Sequence, residues 1–396
     1  MSYNSKFKRN RLDNICRLVT DGTHDSPKLR KNGVPFIKGK HISGGYVDFK
    51  NCDYISIEDH NKAIKRSKPE RGDILFSNIG SIGDAAFINS HIEFSIKNVA
   101  LFKPDPKVVL NKYLYYVVIS PTFRRELFAK RSGVAQPFFS LELLRSTLVE
   151  YPSDISVQSK IASILSAYDD LIENNLRRIK ILEEMAQNLY REWFVKFRFP
   201  GHENVRFVDS ELGRIPEGWE VVKLGQVLDL KYGKALKKDD RLGGSIPVYG
   251  SSGIVGFHNV PLVKGPGVII GRKGNVGSVF WSENDFFPID TAYFINSDLP
   301  LRFLYYDLQT KNFINNDAAV PGLNRNQALS LETVIPARDI LNTFCSIADC
   351  FEGQASILRT KNDNLRKTRD LLLPKLISGE VDVSELDIET LQETPS

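Results

Sequence analysis

The chain has 396 residues, 26% of them charged and 42% hydrophobic, with a formal net charge of +5. That length supports two or three domains, each with its own core, and the composition excludes a disordered or collagen-like chain. No apolar run approaches the roughly 20 residues of a membrane span, and the N-terminal MSYNSKFKRN has no apolar export segment.

The four cysteines (Cys16, Cys52, Cys345, Cys350) and six histidines show no metal-ligand spacing. The expectation is a cytoplasmic chain with reduced thiols and no metal. Charge is unevenly placed: residues 1–152 carry 25 Lys and Arg against 15 Asp and Glu, the remainder 28 against 33. A basic N-terminal part suits a polyanionic partner, because neutralising phosphates releases counterions.

In chain order, residues 1–152 hold short β-branched and aromatic runs punctuated by Gly and Pro, which predict strands with long loops. Within them NKYLYYVVISPTFRREL (111–127) predicts a helix. Residues 153–197 predict one long helix, because Ile161, Leu165, Tyr168, Ile172, Asn175, Ile179, Leu182, Ala186, Leu189 and Trp193 step by four and three. Residues 198–218 read as an exposed linker, and Trp219 opens a second β-rich module, 219–336. Residues 337–380 predict a second long helix on the seam Phe344, Ala348, Phe351, Ala355, Leu358, Asn362 and Leu365, frayed from there to Leu372. Pro374 is expected to stop or kink it, leaving a polar tail over 381–396. Each helix makes a rod of roughly 50–60 Å.

The chain is written twice. VPFIKG (34–39) answers IPVYGS (246–251), SNIGSIGD (77–84) answers GRKGNVGS (271–278), and KYLYYVVIS (112–120) answers RFLYYDLQT (302–310). VAQPFFSLELLRSTLVEYP (134–152) answers AVPGLNRNQALSLETVIP (319–336), and KIASILSAYDD (160–170) answers TFCSIADCFEG (343–353). Five matches in order make a tandem duplication with a period near 190 residues. The expected fold is therefore α+β: two β-rich domains joined by two long antiparallel coiled-coil helices in a pseudo-twofold repeat. Asn175 and Asn362, near the helix centres, are expected to face each other and fix the register.

The glycine runs are not phosphate loops. The G-x-x-G-x-x-G spacing of GRKGNVGS, kept as G-x-x-G in SNIGSIGD, differs from both nucleotide fingerprints, and SVFW after the former reads as strand. A strand, a glycine turn and a strand make a hairpin. No motif for methyl transfer, DNA cleavage or nucleophilic hydrolysis is present, so the chain is expected to carry no chemistry of its own.

A rigid projecting turn suits another task. Arginine offers a two-pronged donor to guanine and asparagine to adenine, while lysine holds phosphates. Three loop families supply candidates: Asn78, Ser81, Arg272, Lys273 and Asn275 on the glycine hairpins; Arg131, Gln136, Asn324, Arg325 and Asn326 on the second family; and Lys38, Lys40, His41, Tyr249 and Ser251 on the third.

Taken together, the repeat of module plus long helix, GDILFSNIGSIG, GPGVIIGRKGNVG, the junction REWFVKFRFPG to ELGRIPEGWEVVKLGQV and the near-terminal LLLPKLISGEV resemble the specificity subunits of type I restriction-modification enzymes. The resemblance covers essentially the whole chain. It implies two target-recognition domains, each reading half of a bipartite double-stranded DNA site, and a helical pair that fixes the gap and docks two methyltransferase subunits. Two restriction subunits would join for translocation and cleavage, with S-adenosylmethionine, ATP and magnesium on the partners. Thr360, Arg369 and Lys375 depart from an apolar seam and leave the length of the second rod open. The rival readings are a free-standing DNA-binding regulator, which would bind its site without partners, and a protein- or glycan-binding scaffold, which would bind no DNA even with a methyltransferase.

Overall fold

A computed structural model describes residues 7–79, 83–129, 138–241, 243–313 and 322–390. It divides into two compact units, Met1–Asn174 with Lys361–Ser396, and Asn175–Thr360. Two long helices, α1 (Ile155–Tyr190) and α2 (Arg338–Ile377), each contribute one half to either unit.

In the first unit a four-stranded antiparallel sheet runs in the order β1 (Cys16–Asp21), β4 (Ala100–Pro104), β2 (Ile74–Phe76), β3 (Ala85–Phe87). Its central strands are apolar without alternation over residues 74–76 and 100–102 because both faces are covered there. Ile74, Phe76 and Phe102 face a core shared with Tyr113, Tyr116, Ile161, Leu165 and Leu376. Leu75, Ala86 and Leu101 face a second cluster with Ile37 and Ile96. The latter two belong to Val34–Lys38 and Ser95–Lys97, which pair in parallel.

The second unit repeats the plan. Strands β5 (Asp229–Tyr232), β8 (Ala292–Asn296), β6 (Gly267–Gly271) and β7 (Val279–Ser282) stand in the same order. Ile246–Gly250 pairs in parallel with Phe287–Pro288, as its counterpart does in the first unit. In both units a strand from the start of the module pairs with one at its end: Phe7–Arg11 with Leu148–Pro152, and Glu220–Lys223 with Glu332–Ile335. That pairing closes each module just before its long helix.

Asp154 starts α1, its Oδ1 accepting the Ser156 N–H at 2.8 Å. Every seam residue is buried or half-buried: Ile161, Leu165 and Phe344 fully, Tyr168, Leu182, Leu189, Phe351 and Leu365 partly. Within each unit the two helical halves run antiparallel. In the first, Asp169 bonds Arg369 at 2.5 Å while the Ile172 carbonyl accepts from Asn362. In the second, Ile179 packs with Leu358 while Trp193 and Phe194 pack on Phe344. Asn362 is 1% exposed, and its amide donates to the Ile172 carbonyl at 3.3 Å, a partner the sequence does not announce. Arg369 interrupts the apolar seam because it pairs with Asp169, and α2 keeps its full 40 residues.

Three expectations need correction. Pro374 does not end α2, which continues three residues further to Ile377; a missing N–H in the last turn costs a single bond. The residues after it are not all free tail: Val383 is fully buried in the first core, and Lys160 Nζ donates to the Ser384 carbonyl at 2.6 Å. The linker is not simply exposed either. Phe207–Ser210 and Gly213–Pro216 form a hairpin, and Phe199 stacks on Trp219 at 5.0 Å, both nearly buried beside Phe194. Aromatic area of this size outweighs the cost of ordering a short loop. One turn of π-helix, Arg191–Val195, turns Trp193 and Phe194 into that cluster.

Candidate nucleic-acid interface

Both glycine runs join a pair of antiparallel strands, and their described ends close in the same way. β2 pairs with β3, and β6 with β7. Inside the turns the Gly83 N–H donates to the Ser77 carbonyl at 2.9 Å, and the Gly277 N–H to the Gly271 carbonyl at 2.8 Å. Gly83 and Gly277 take φ of 92° and 77°, where a side chain would strain the backbone.

The second loop family docks on the first. Phe139 N–H donates to the Asn78 carbonyl in one unit, and Leu323 N–H to the Arg272 carbonyl in the other. Lys273 and Gly322 form a bridge of the same kind as Ile79 and Phe138. In the second unit this contact closes one side of a cleft of about 560 Å³, lined by Tyr232, Arg272, Lys273, Tyr293 and residues 322–326.

Within the cleft the candidates take different parts. Arg272 lies over the Tyr232 ring, 5.0 Å from its centroid, and Nη1 donates to the Asp290 carbonyl at 2.7 Å. Arg325 is engaged from below by the Leu230 carbonyl at 2.9 Å and by the Asp229 carboxylate. A hydrogen bond from Lys231, joined by Arg325, holds the Asp229 carboxyl below the usual carboxylate range. Asn324 caps the following helix, its Oδ1 accepting from the Asn326 and Gln327 N–H groups at 2.9 and 3.1 Å. Lys273, Asn275 and Asn326 are exposed. Ser251 is half-buried beside Gly274.

Several other candidates turn inward. Asn78 is 4% exposed and donates to the Phe139 carbonyl at 3.3 Å, so it ties the two loops together. Tyr249 is 6% exposed and its hydroxyl donates to the Trp281 carbonyl. His41 is 3% exposed, and its Nδ1 accepts the Lys38 N–H at 3.1 Å. Lys38 pairs with Asp53 at 2.7 Å; Lys40 is exposed, 3.9 Å from the same carboxylate. Ser81, Arg131 and Gln136 lie outside the described residues.

Two groups at corresponding places escaped the sequence. One is the Tyr232 and Tyr293 pair under Arg272, with ring centroids 5.0 Å apart. The other, in the first unit, is Asp21 with Arg66 and His24. The only sequence signal was a glycine directly after each edge strand, Gly22 and Gly233. Among the described residues no helix is long and apolar enough to cross a membrane.

Known proteins resemble the chain throughout. It is 26% identical to the MjaIX type I restriction enzyme specificity subunit of Methanocaldococcus jannaschii, over 93% of this chain and 92% of that one. To the HindI specificity subunit of Haemophilus influenzae it is 23% identical, over 84% and 91%. In fold it is similar to the crystal structure of a type I restriction-modification S subunit from M. genitalium, with a TM-score of 0.57, 17% identity and coverage of 93% and 96%. The family model for the type I restriction modification DNA specificity domain matches twice, over residues 4–184 and 216–334, one match for each copy of the hairpin scaffold. With both copies accounted for, the chain belongs to the type I restriction-modification DNA specificity family and serves DNA sequence recognition.

Proposed function

We propose that each β-rich module reads one half of a bipartite duplex DNA site, through loops at its glycine hairpin. The observation that carries this reading is that one scaffold is built twice with different side chains at equivalent places. Asn78 and Arg272 hold the same carbonyl contact, yet one side chain is buried and the other lies in an open cleft. Identical scaffolds with different displayed chemistry suit two different half-sites.

The long helices would set the gap between half-sites and dock two methyltransferase subunits, with two restriction subunits joining them. S-adenosylmethionine, ATP and magnesium would sit on those partners, and this chain would contribute recognition without chemistry. Two modest half-site affinities on one chain combine strongly, because the second contact forms at high effective concentration. The family match disfavours a free-standing regulator or a scaffold that ignores DNA.

The test is a genome-wide map of N6-methyladenine in cells expressing this chain with its methyltransferase subunit, against cells lacking this chain. One asymmetric two-part motif with a fixed gap, present only with the chain, is the expected result. A complex that forms but leaves no chain-dependent methylation would overturn the reading.

A further inference from the structure

The internal repeat gives an alignment that rests on backbone geometry alone. Edge strands β1 and β5 are each followed by a glycine pressed against a backbone carbonyl of the segment that leads into the neighbouring strand. A Cβ on Gly22 would stand 2.2 Å from the Ile96 carbonyl oxygen, and one on Gly233 would stand 2.1 Å from that of Ile289. The Gly22 N–H donates to the Val99 carbonyl, and the Gly233 N–H to the Ala292 carbonyl. The last residues of the two strands, Asp21 and Tyr232, therefore occupy equivalent places. Their cross-strand partners are Ala100 and Tyr293.

Each of these residues holds an arginine, delivered from a different element. Tyr232 carries Arg272 of the glycine hairpin on its face. In the first unit the hairpin position equivalent to Arg272 is the buried Asn78, which displays no charge. There Asp21 instead receives Arg66, from the segment after the helix Ile57–Ala63; both Nε and Nη2 donate to Asp21 Oδ1, at 3.0 and 2.5 Å. His24 Nε2 lies 3.2 Å from the other Asp21 oxygen, and its Nδ1 is 3.0 Å from Asn98 Oδ1. Asp21 is 7% exposed, while half of the Arg66 side chain remains open.

We infer that these two clamped arginines, Arg66 and Arg272, are the specificity-determining residues of the two modules, each reading one guanine of its half-site. The inference rests on the DNA-reading proposal above. A guanidinium held along one edge keeps donors on another, in a planar fork that fits guanine O6 and N7. Clamping removes the rotamer freedom a free arginine would lose on binding. The flexible exposed lysines nearby, such as Lys273, suit phosphates as point charges.

The deciding experiment selects sites from a randomised duplex library with the full chain assembled with its methyltransferase subunit. Arg272→Lys should lower discrimination at one guanine of one half-site by roughly ten- to a hundredfold, leaving the other half intact. Arg66→Lys should do the same in the other half. Tyr232→Leu, which loosens Arg272 without removing it, should blur the same base as Arg272→Lys. Asp21→Asn should blur the same base as Arg66→Lys, and it decides the matter if Arg66→Lys does not assemble. An unchanged motif, both effects in one half, or a loss spread evenly over all sequences would overturn the inference. Failure of the unaltered complex to select any two-part motif would instead sink the DNA-reading proposal itself.

Discussion

Asn78 and Arg272 occupy equivalent backbone positions, and side-chain identity and burial together separate their roles. Asn78→Ala should remove one buried hydrogen bond and lower stability by about 1 kcal/mol, leaving sequence preference unchanged. Thermal melting and site selection on the same protein check both halves of that statement. Titration gives a second test at this scale. His60 is 3% exposed with Nδ1 2.9 Å from Ser95 Oγ, and burial holds its imidazole below the ordinary 6.5. Burial, reinforced by Lys40, does the same to His41. The unfolded chain binds protons at about pH 6.5 that the folded chain refuses until lower pH. Their stabilising contribution is therefore complete above about 6.5 and lost as pH falls through that value toward the folded pKa values. His60→Gln should flatten the fall in melting temperature between about pH 7 and about pH 5; an undiminished slope would exclude His60 as a source.

Each long helix is held to its module by a Tyr–Asp hydrogen bond and by apolar packing, with the tyrosine on the module in the first unit and on the helix, as Tyr190 to Asp307, in the second. In the first, the Tyr116 hydroxyl donates to Asp169 Oδ2 at 2.7 Å, and Arg369 of α2 bonds the other oxygen of the same carboxylate. In the second, Phe344 is fully buried among Tyr190, Trp193, Phe194 and Tyr306. Phe344→Ala should cost about 3–5 kcal/mol by leaving a cavity, read as an early unfolding step of the second unit in denaturant titration. The seam was legible in the sequence because a period of 3.5 runs from Ile161 to Trp193 and from Phe344 to Leu365, with asparagine at one step of each. The contact of Asn362 with the Ile172 carbonyl was not legible, since a backbone carbonyl leaves no mark on a sequence. If the helices act as a ruler, inserting matched heptads in both should lengthen the gap between half-sites and leave each half-site unchanged. Methylation mapping reads this directly, and an unchanged gap would count against the ruler.

For the whole molecule, duplication is the organising fact. Two family matches, two copies of one sheet order and two pairs of docked loops point to modules that vary independently. Replacing residues 215–335 with the corresponding domain of another family member should change one half-site only. Change in both halves would refute modular readout. Trp219 and Phe199 set a condition on such a graft: the segment between the copies is packed, so the boundary must keep that aromatic stack.

The sequence by itself determined the repeat, the heptad seams, the hairpin nature of the glycine runs and the family, because the seams and turns are written in local spacing and the repeat and family in motifs that recur in order. Tertiary structure decided which candidate side chains face outward. Asn78, Tyr249 and His41 turned inward because each found a hydrogen-bond partner within its own module. It also ordered Val383 and the 198–218 segment, whose few apolar residues gain meaning only beside a distant core. The clusters at Asp21 and Tyr232 join residues 45 and 40 positions apart, a separation no local pattern can encode. Only the closing of the sheet brings them to one strand end.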